Sequence, residues 1–374
     1  MSTSDRLVIR SRFRDYEVTF VEDFSTILAS RTEHGFFIVD KVVMELYRPR
    51  LQSLLPAGRT FLVEATERQK TLEHCQGLIG TLIESNIRKH HRLVALGGGV
   101  IQDITAFIAS ILFRGVQWSF FPTTLLAQAD SCVGSKSSLN LGKYKNLLGT
   151  FYPPSQIWID VGFLQTLPAD EIKSGIGEIL HFYLVDGNER ISSLMDNYDE
   201  HLKNPRGLHE HIRTALEIKK KTVELDEFDQ HQRNLFNYGH TFGHAIETVS
   251  GYRIRHGQAV TMGMDIANYV SCERGYLPKA TFVALHQILA KNMPVLSLDS
   301  ICLDDYFTAL SKDKKNVSSH LTCILTSGPG SMKKAEIPLD DDLKDILSAY
   351  IRTYGAPCVS VATASAPSAS GHGQ

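Results

Sequence analysis

Two imidazoles four residues apart, in His240-Thr241-Phe242-Gly243-His244, are the first groups in this sequence with a chemical look. On a helix that spacing places both rings on one face. The outline is that of HExxH, but Thr241 stands where a metalloprotease carries its glutamate base, which disfavours that chemistry. Two such histidines can share a metal, or one can hold metal while the other moves protons. An isolated pair of this kind is more often an ordinary surface or core pair. Two further residues enlarge the set. His256 opens the helical pattern His256-Gly257-Gln258-Ala259-Val260, and Glu178 lies among apolar neighbours in Gly175-Ile176-Gly177-Glu178-Ile179-Leu180-His181. Burying that carboxylate is costly without a partner or a metal. One carboxylate and two imidazoles can make an open catalytic zinc site.

A second locus is Gly97-Gly98-Gly99-Val100, between a strand pattern and a helix pattern. Glycines let a phosphate approach the backbone, and the helix start offers unpaired amides. The run is not GxGxxG, since its last position is Gln102, and a plain tight turn reads equally well. Asp40, at a strand end, can bond a ribose diol or simply cap a helix. Lys136, Lys145 and Asn146 follow Asp130 in a Gly- and Ser-containing loop, and Lys219, Arg233 and Lys314–Lys315 come later. Converging, these cations suit a phosphorylated, carboxylated substrate; dispersed, they are solvated surface charges.

These groups need elements to hold them. Apolar runs predict strands at Gly35–Val39, Leu93–Leu96, Ser119–Pro122 and Gln156–Asp160, with an amphipathic helix over Ile101–Phe113. Strand–helix alternation implies a parallel sheet with covering helices. From Pro168 the patterns become helical, over Asp170–Leu184, Gly207–Leu225, Tyr238–Val249, Gly257–Tyr276 and Leu339–Tyr354. The expected organisation is an α/β domain over 1–166, an all-α domain over 167–355 and a disordered tail over 356–374.

Composition limits the classes of function. The chain has 374 residues, and 39 basic against 41 acidic side chains leave a formal charge of −2, which argues against nucleic-acid binding. No apolar run is long enough to span a bilayer, and the polar first residues show no secretory signal. The six cysteines form no CxxC pair, so disulfide staples and zinc ribbons are not expected. A soluble, cytoplasmic protein is the expectation.

Several motifs in order give the sequence a resemblance to the dehydroquinate synthase family of sugar-phosphate cyclases. They are Gly97–Asp103, Phe113-Arg114-Gly115, Pro122–Ser131, Leu167-Pro168, Ser174–Glu178 and Asn237–Glu247. The resemblance implies a Rossmann-like NAD-binding domain, a helical second domain and an active site between them. It implies zinc or cobalt on Glu178, His240 and His256. For NAD it points to Asp40, Glu67, Lys70, Gly98, Gly99, Val100, Asp103, Thr123, Thr124, Lys145 and Thr166. Asp130, Lys136, Lys219, Arg233, Asn237 and His244 match catalytic positions of the substrate pocket, and Asn146, His181 and Lys314 match further substrate contacts. Arg114 matches an arginine that reaches a neighbouring subunit's site, implying a homodimer.

The implied chemistry begins by oxidising a substrate alcohol to a ketone, which acidifies the adjacent carbon–hydrogen bond. Phosphate leaves by β-elimination, the ketone is reduced again, the ring opens, and an intramolecular aldol step closes a carbocycle. Net redox is zero, so the reaction class is a lyase, and His244 is the expected proton-handling or phosphate-contacting group. The sequence departs from the family pattern at His181, where a lysine is usual, at Gln102, where glycine is common, and at Ser135-Lys136-Ser137-Ser138. Lys219, Arg233, Asn237 and Lys314 favour 3-deoxy-arabino-heptulosonate 7-phosphate as substrate. His181 leaves sedoheptulose 7-phosphate as the alternative, giving a valiolone-type product. A metal-dependent polyol dehydrogenase is a further alternative, disfavoured by the phosphate-pocket residues, and a non-catalytic homologue is disfavoured by the intact metal-ligand set.

Overall fold

The computed structural model describes residues 5–142, 144–294, 302–312 and 320–355. Lys314 and the 356–374 tail lie outside the described residues.

Among the described residues of the first part there are nine strands: β1 (Arg6–Ile9), β2 (Tyr16–Phe20), β3 (Gly35–Asp40), β4 (Thr60–Val63), β5 (Arg92–Gly97), β6 (Gln117–Pro122), β7 (Leu139–Leu141), β8 (Tyr144–Leu148) and β9 (Gln156–Ile159). Seven form one sheet in the order β1-β2-β9-β6-β5-β3-β4, and β7 pairs with β8 separately. Every pair in the large sheet is parallel except β1–β2. The continuous apolar runs of β3 and β5 suit a sheet covered on both sides. Alternate residues enter opposite layers. Phe36, Ile38, Leu93 and Ala95 face the larger core, which continues into the helices of the second half. Phe37, Val39, Val94 and Leu96 face a smaller core closed by Phe24, Leu28 and Leu51.

The chain leaves β3 toward β4 on one side and returns through β5, β6 and β9 on the other. The β3/β5 seam is therefore the switch point of the sheet, and ligands of such folds bind beyond the C-terminal strand ends at that crevice. The glycine run sits there, leading into the helix Gly99–Ile111.

After residue 166 the fold is helical, built on Ala169–Asp186, His209–Leu225, His240–Val249, His256–Glu273, Lys279–Ala290 and Asp341–Tyr354. The all-α expectation is amended at one place, an antiparallel hairpin of β10 (His320–Thr326) and β11 (Met332–Pro338). Leu321–Leu325 of β10 is buried throughout, and the hairpin packs on His256–Glu273. A short apolar run of this sort reads equally well as strand or buried helix until its partner is known.

Two of these helices meet where the chemistry is expected. A Cβ on Gly177 would overlap the Gly257 carbonyl oxygen, and one on Gly257 would overlap the Ser174 carbonyl oxygen. The Gly257 N–H also donates to Ser174 Oγ at 3.0 Å. Backbone therefore lies on backbone at this crossing, which brings the adjacent Glu178 and His256 together.

Candidate active site

Glu178, His240 and His256 come from three separate helices, yet one ligand atom of each lies within 4.8 Å of the other two. Glu178 Oε1 stands 3.2 Å from His256 Nε2 and 3.8 Å from His240 Nε2. Glu178 is 2% exposed, and apart from the facing imidazoles its Oε1 has no hydrogen-bond partner among the described residues. Burial pushes its pKa up, but His256, His240 and His181 outweigh burial and hold the carboxyl well below its usual range. His256 shows the converse: burial disfavours its charged form, while Glu178 and Glu247 raise its pKa well above the ordinary imidazole value. The geometry and donor types suit a divalent ion with an open coordination position.

Glu247 is the residue that sequence reasoning missed. Its Oε2 lies 3.1 Å from His256 Nδ1, fixing which ring nitrogen faces Glu178. The signal was present, since Glu247 falls one helical turn beyond His244, within the quoted motif. The His244 ring packs 5.4 Å from that of His240 and 5.7 Å from that of His256, centroid to centroid.

A cavity of about 170 Å³ opens beside this triad. Residues from both halves of the chain line it: Asp130 and Lys136 from the first, Glu178, His181, Lys219, Arg233, Asn237 and His240 from the second. Asp130 sits on a π-helical turn, Ala127–Ser131, a distortion common at functional sites. Lys219, 6% exposed, donates to both the carbonyl oxygen and Oδ1 of Asp130, at 2.6 and 2.7 Å. Lys136 Nζ meets Asp229 Oδ2 at 2.6 Å, and Arg233 Nη1 donates to the Glu227 carbonyl at 2.6 Å. Burial, then the charge of Arg233, holds the Lys136 pKa below its ordinary value despite Asp229. A lysine so placed gains from an anion entering the cavity. His181 is 1% exposed, and neither ring nitrogen has a hydrogen-bond partner among the described residues. Its Nδ1 is 3.9 Å from Glu178 Oε2, and burial holds its pKa down against the pull of Glu178.

The other predicted residues gather mostly at the C-terminal strand ends. Asp40 Oδ1 caps the helix Lys41–Leu46 by accepting from the Val42 N–H at 2.9 Å. The helix Gly99–Ile111 begins with no side-chain cap. A Cβ on Gly98 would meet Thr124 at 2.9 Å, whereas one on Gly99 would meet nothing closer than 3.9 Å, so the loop is tight behind and open in front. Val100 is half-buried there, and Thr123 N–H donates to the Gly97 carbonyl at 2.9 Å. Lys70 binds Asp103 Oδ2 at 3.0 Å and Asn146 Oδ1 at 2.7 Å. Asn146 thus joins Lys70 and Asp103 rather than the cavity lining. Burial raises Glu67, but Lys70, Asn140 and Lys145 together bring its pKa below the usual range. Lys145 lies over the Tyr252 ring at 3.7 Å, and Thr166 Oγ1 is 3.1 Å from the Tyr47 hydroxyl. Arg114 is exposed at positive φ, outside the cavity lining. Gln102 exchanges two 2.6 Å hydrogen bonds with Ser131, one to its carbonyl and one from its hydroxyl. That contact gives the departure from glycine a structural role beside Asp130.

Two family models match consecutive stretches: 3-dehydroquinate synthase N-terminal over 60–174 and 3-dehydroquinate synthase C-terminal over 175–316. The chain belongs to the 3-dehydroquinate synthase family. A family relative, the 3-dehydroquinate synthase of Thermoanaerobacter sp. strain X514, is 33% identical over 352 residues, covering 91% of this chain and 99% of the relative. Among solved structures, a 2-deoxy-scyllo-inosose synthase complexed with carbaglucose-6-phosphate, NAD+ and Co2+ superposes with TM-score 0.80 at 24% identity. That match covers 92% of this chain and 99% of the other, and speaks for the fold. The 2-epi-5-epi-valiolone synthase of Streptomyces hygroscopicus subsp. jinggangensis 5008, with NAD+ and Zn2+ bound, gives TM-score 0.79 at 25% identity, over 90% of this chain and 97% of that one. No helix among the described residues is long and apolar enough to cross a membrane.

Proposed function

We propose that this member of the family is an NAD- and metal-dependent cyclase that converts 3-deoxy-arabino-heptulosonate 7-phosphate to 3-dehydroquinate, a carbon–oxygen lyase. The observation that carries the reading is the metal-competent triad Glu178, His240 and His256 opening onto the same cavity as Lys136, Lys219 and Arg233. Glu178 Oε1, buried and faced among the described residues by imidazoles alone, fits an ion. The uncapped helix at Gly99, open in front, fits a dinucleotide phosphate, with Asp40 beside it at the switch point. Bound NAD would take up and return a hydride, and a bound Zn2+ or Co2+ would act as a Lewis acid on substrate oxygens.

The chain's own groups supply the rest. Lys136, Lys219, Arg233 and Asn237, with Lys314, hold the phosphate and carboxylate, and Asp130 orients Lys219. His244, adjacent to His240 and His256, moves a proton. Lys70, Asp103 and Glu67 with Lys145, Thr123, Thr124 and Thr166 hold the nucleotide. The working unit in this reading is a cytoplasmic homodimer in which Arg114 reaches the neighbouring subunit's site.

His181 favours a second reading. A short imidazole stands where the family lysine would offer a fixed charge, which suits the uncharged hydroxymethyl of sedoheptulose 7-phosphate. The deciding experiment incubates the protein with each sugar phosphate, NAD+ and Zn2+, and follows phosphate release and the ring product. Turnover of the heptulosonate phosphate is expected. Turnover of sedoheptulose 7-phosphate alone would replace the first reading by the second, and stoichiometric NADH would replace both by a dehydrogenase.

A further inference from the structure

Three more imidazoles converge at the opposite pole of the sheet. His34 directly precedes β3, and His90 and His91 directly precede β5. These strands are parallel neighbours, with Gly35 paired to Arg92, so the residues ahead of them emerge side by side at the N-terminal edge. The Arg92 N–H donates to the His34 carbonyl at 3.0 Å, tying the two segments where the rings leave the backbone. One ligand nitrogen each of His34, His90 and His91 lies within 4.8 Å of the other two. A tetrahedral ion with bonds of ~2.0–2.1 Å needs nitrogens ~3.4 Å apart. Small rotations close that gap, because His34 and His90 are exposed and His91 is half-buried.

The charge around the cluster is mixed, with Arg59 and Arg88 close to His91 and Glu33 close to His34. The His90 and His91 rings stand 4.3 Å apart, centroid to centroid. A shared ion uses the neutral lone pairs of the imidazoles. Glu33 Oε1, 3.8 Å from His34 Nε2, adds negative charge.

We propose that His34, His90 and His91 form a second metal site, for a borderline divalent ion such as Zn2+ or Ni2+, at the N-terminal pole of the sheet. Imidazole is the ligand type such ions prefer. The site stands whether or not the reading of the cleft does, since it shares no residue with it. Binding has one built-in structural consequence. The Arg88 N–H donates to His91 Nδ1 at 2.8 Å. An ion taken at Nδ1 replaces that donor, and an ion taken at Nε2 moves the ring proton to Nδ1, so either mode breaks the Arg88 bond.

The test uses the full chain, stripped with chelator and titrated with Zn2+ alone. Bound metal is counted after gel filtration, and exchange of the Arg88 amide is followed by hydrogen–deuterium exchange. The double variant His34→Ala/His90→Ala is expected to bind one equivalent fewer than the wild-type chain, with unchanged turnover and thermal midpoint. Zn2+ should speed Arg88 exchange in the wild-type chain and leave it unchanged in the variant. His34→Gln alone should weaken the same equivalent. Equal stoichiometry in wild type and double variant, or an Arg88 amide indifferent to Zn2+, overturns the site.

Discussion

His256 is held between two acids from two other helices, Glu247 at 3.1 Å from Nδ1 and Glu178 at 3.2 Å from Nε2. A carboxylate behind a ligating imidazole sets its tautomer and raises its basicity, and losing one lowers metal affinity about 10–100-fold. Glu247→Ala is therefore expected to weaken Zn2+ binding by that factor while circular dichroism stays unchanged. Competition against a chromophoric chelator measures it, and wild-type affinity would remove Glu247 from the site. Glu178→Ala and His256→Ala are expected to abolish the cleft's metal equivalent and turnover together.

The Gly177–Gly257 crossing makes a second prediction, because it positions Glu178 and His256 through backbone contact. Gly177→Ala places a methyl on the Gly257 carbonyl, with nothing flexible to yield. Overpacking of this kind costs about 1–3 kcal/mol or more. The variant should lose that much in a denaturant titration and also bind the cleft metal more weakly. A stable variant with normal metal binding would show that the helices can part without consequence.

Much of this was legible in the sequence, and the rest was hidden for physical reasons. The runs around Phe36 and Val94 announce buried strands because both faces of a covered parallel sheet are apolar. His240, Glu178 and His256 were legible as chemical types within motifs. Glu247 was not separated from an ordinary helix-surface acid, since only the third dimension puts it behind His256. The Lys136–Asp229 and Lys219–Asp130 pairs join residues about 90 positions apart, a distance over which spacing carries no signal. The β10–β11 hairpin escaped because Leu321–Leu325 shows no alternation: all of its residues are buried.

Lys219 is buried and bonded to Asp130, so its removal affects more than net charge. A charge-assisted hydrogen bond to substrate contributes about 1.5–3 kcal/mol, or roughly 10–100-fold in kcat/KM. Lys219→Ala should lose at least that factor toward a sugar phosphate, because Asp130 is also released. Lys136→Ala, at a more exposed position, should act mainly through KM. Steady-state kinetics on both variants separates the two, and a KM effect alone in Lys219→Ala would contradict the role of Asp130.

A last prediction concerns acid stability away from the cleft. His211 lies inside the helical half with Nδ1 2.8 Å from the Tyr183 hydroxyl. Burial, then His201 and Arg190, lower its pKa to about 4. In the unfolded chain the ring takes its proton near the ordinary value of about 6.5. Between those values the unfolded state binds more protons, so stability falls as pH drops from about 6.5 to about 4 and then levels off. The two pKa values set the size at about 3 kcal/mol. Denaturant midpoints measured from pH 7 to pH 4 should fall more steeply in the wild-type chain than in His211→Gln, which keeps a polar partner for Tyr183 but cannot titrate. Parallel pH profiles would assign the acid sensitivity to other groups, the neighbouring His201 first among them.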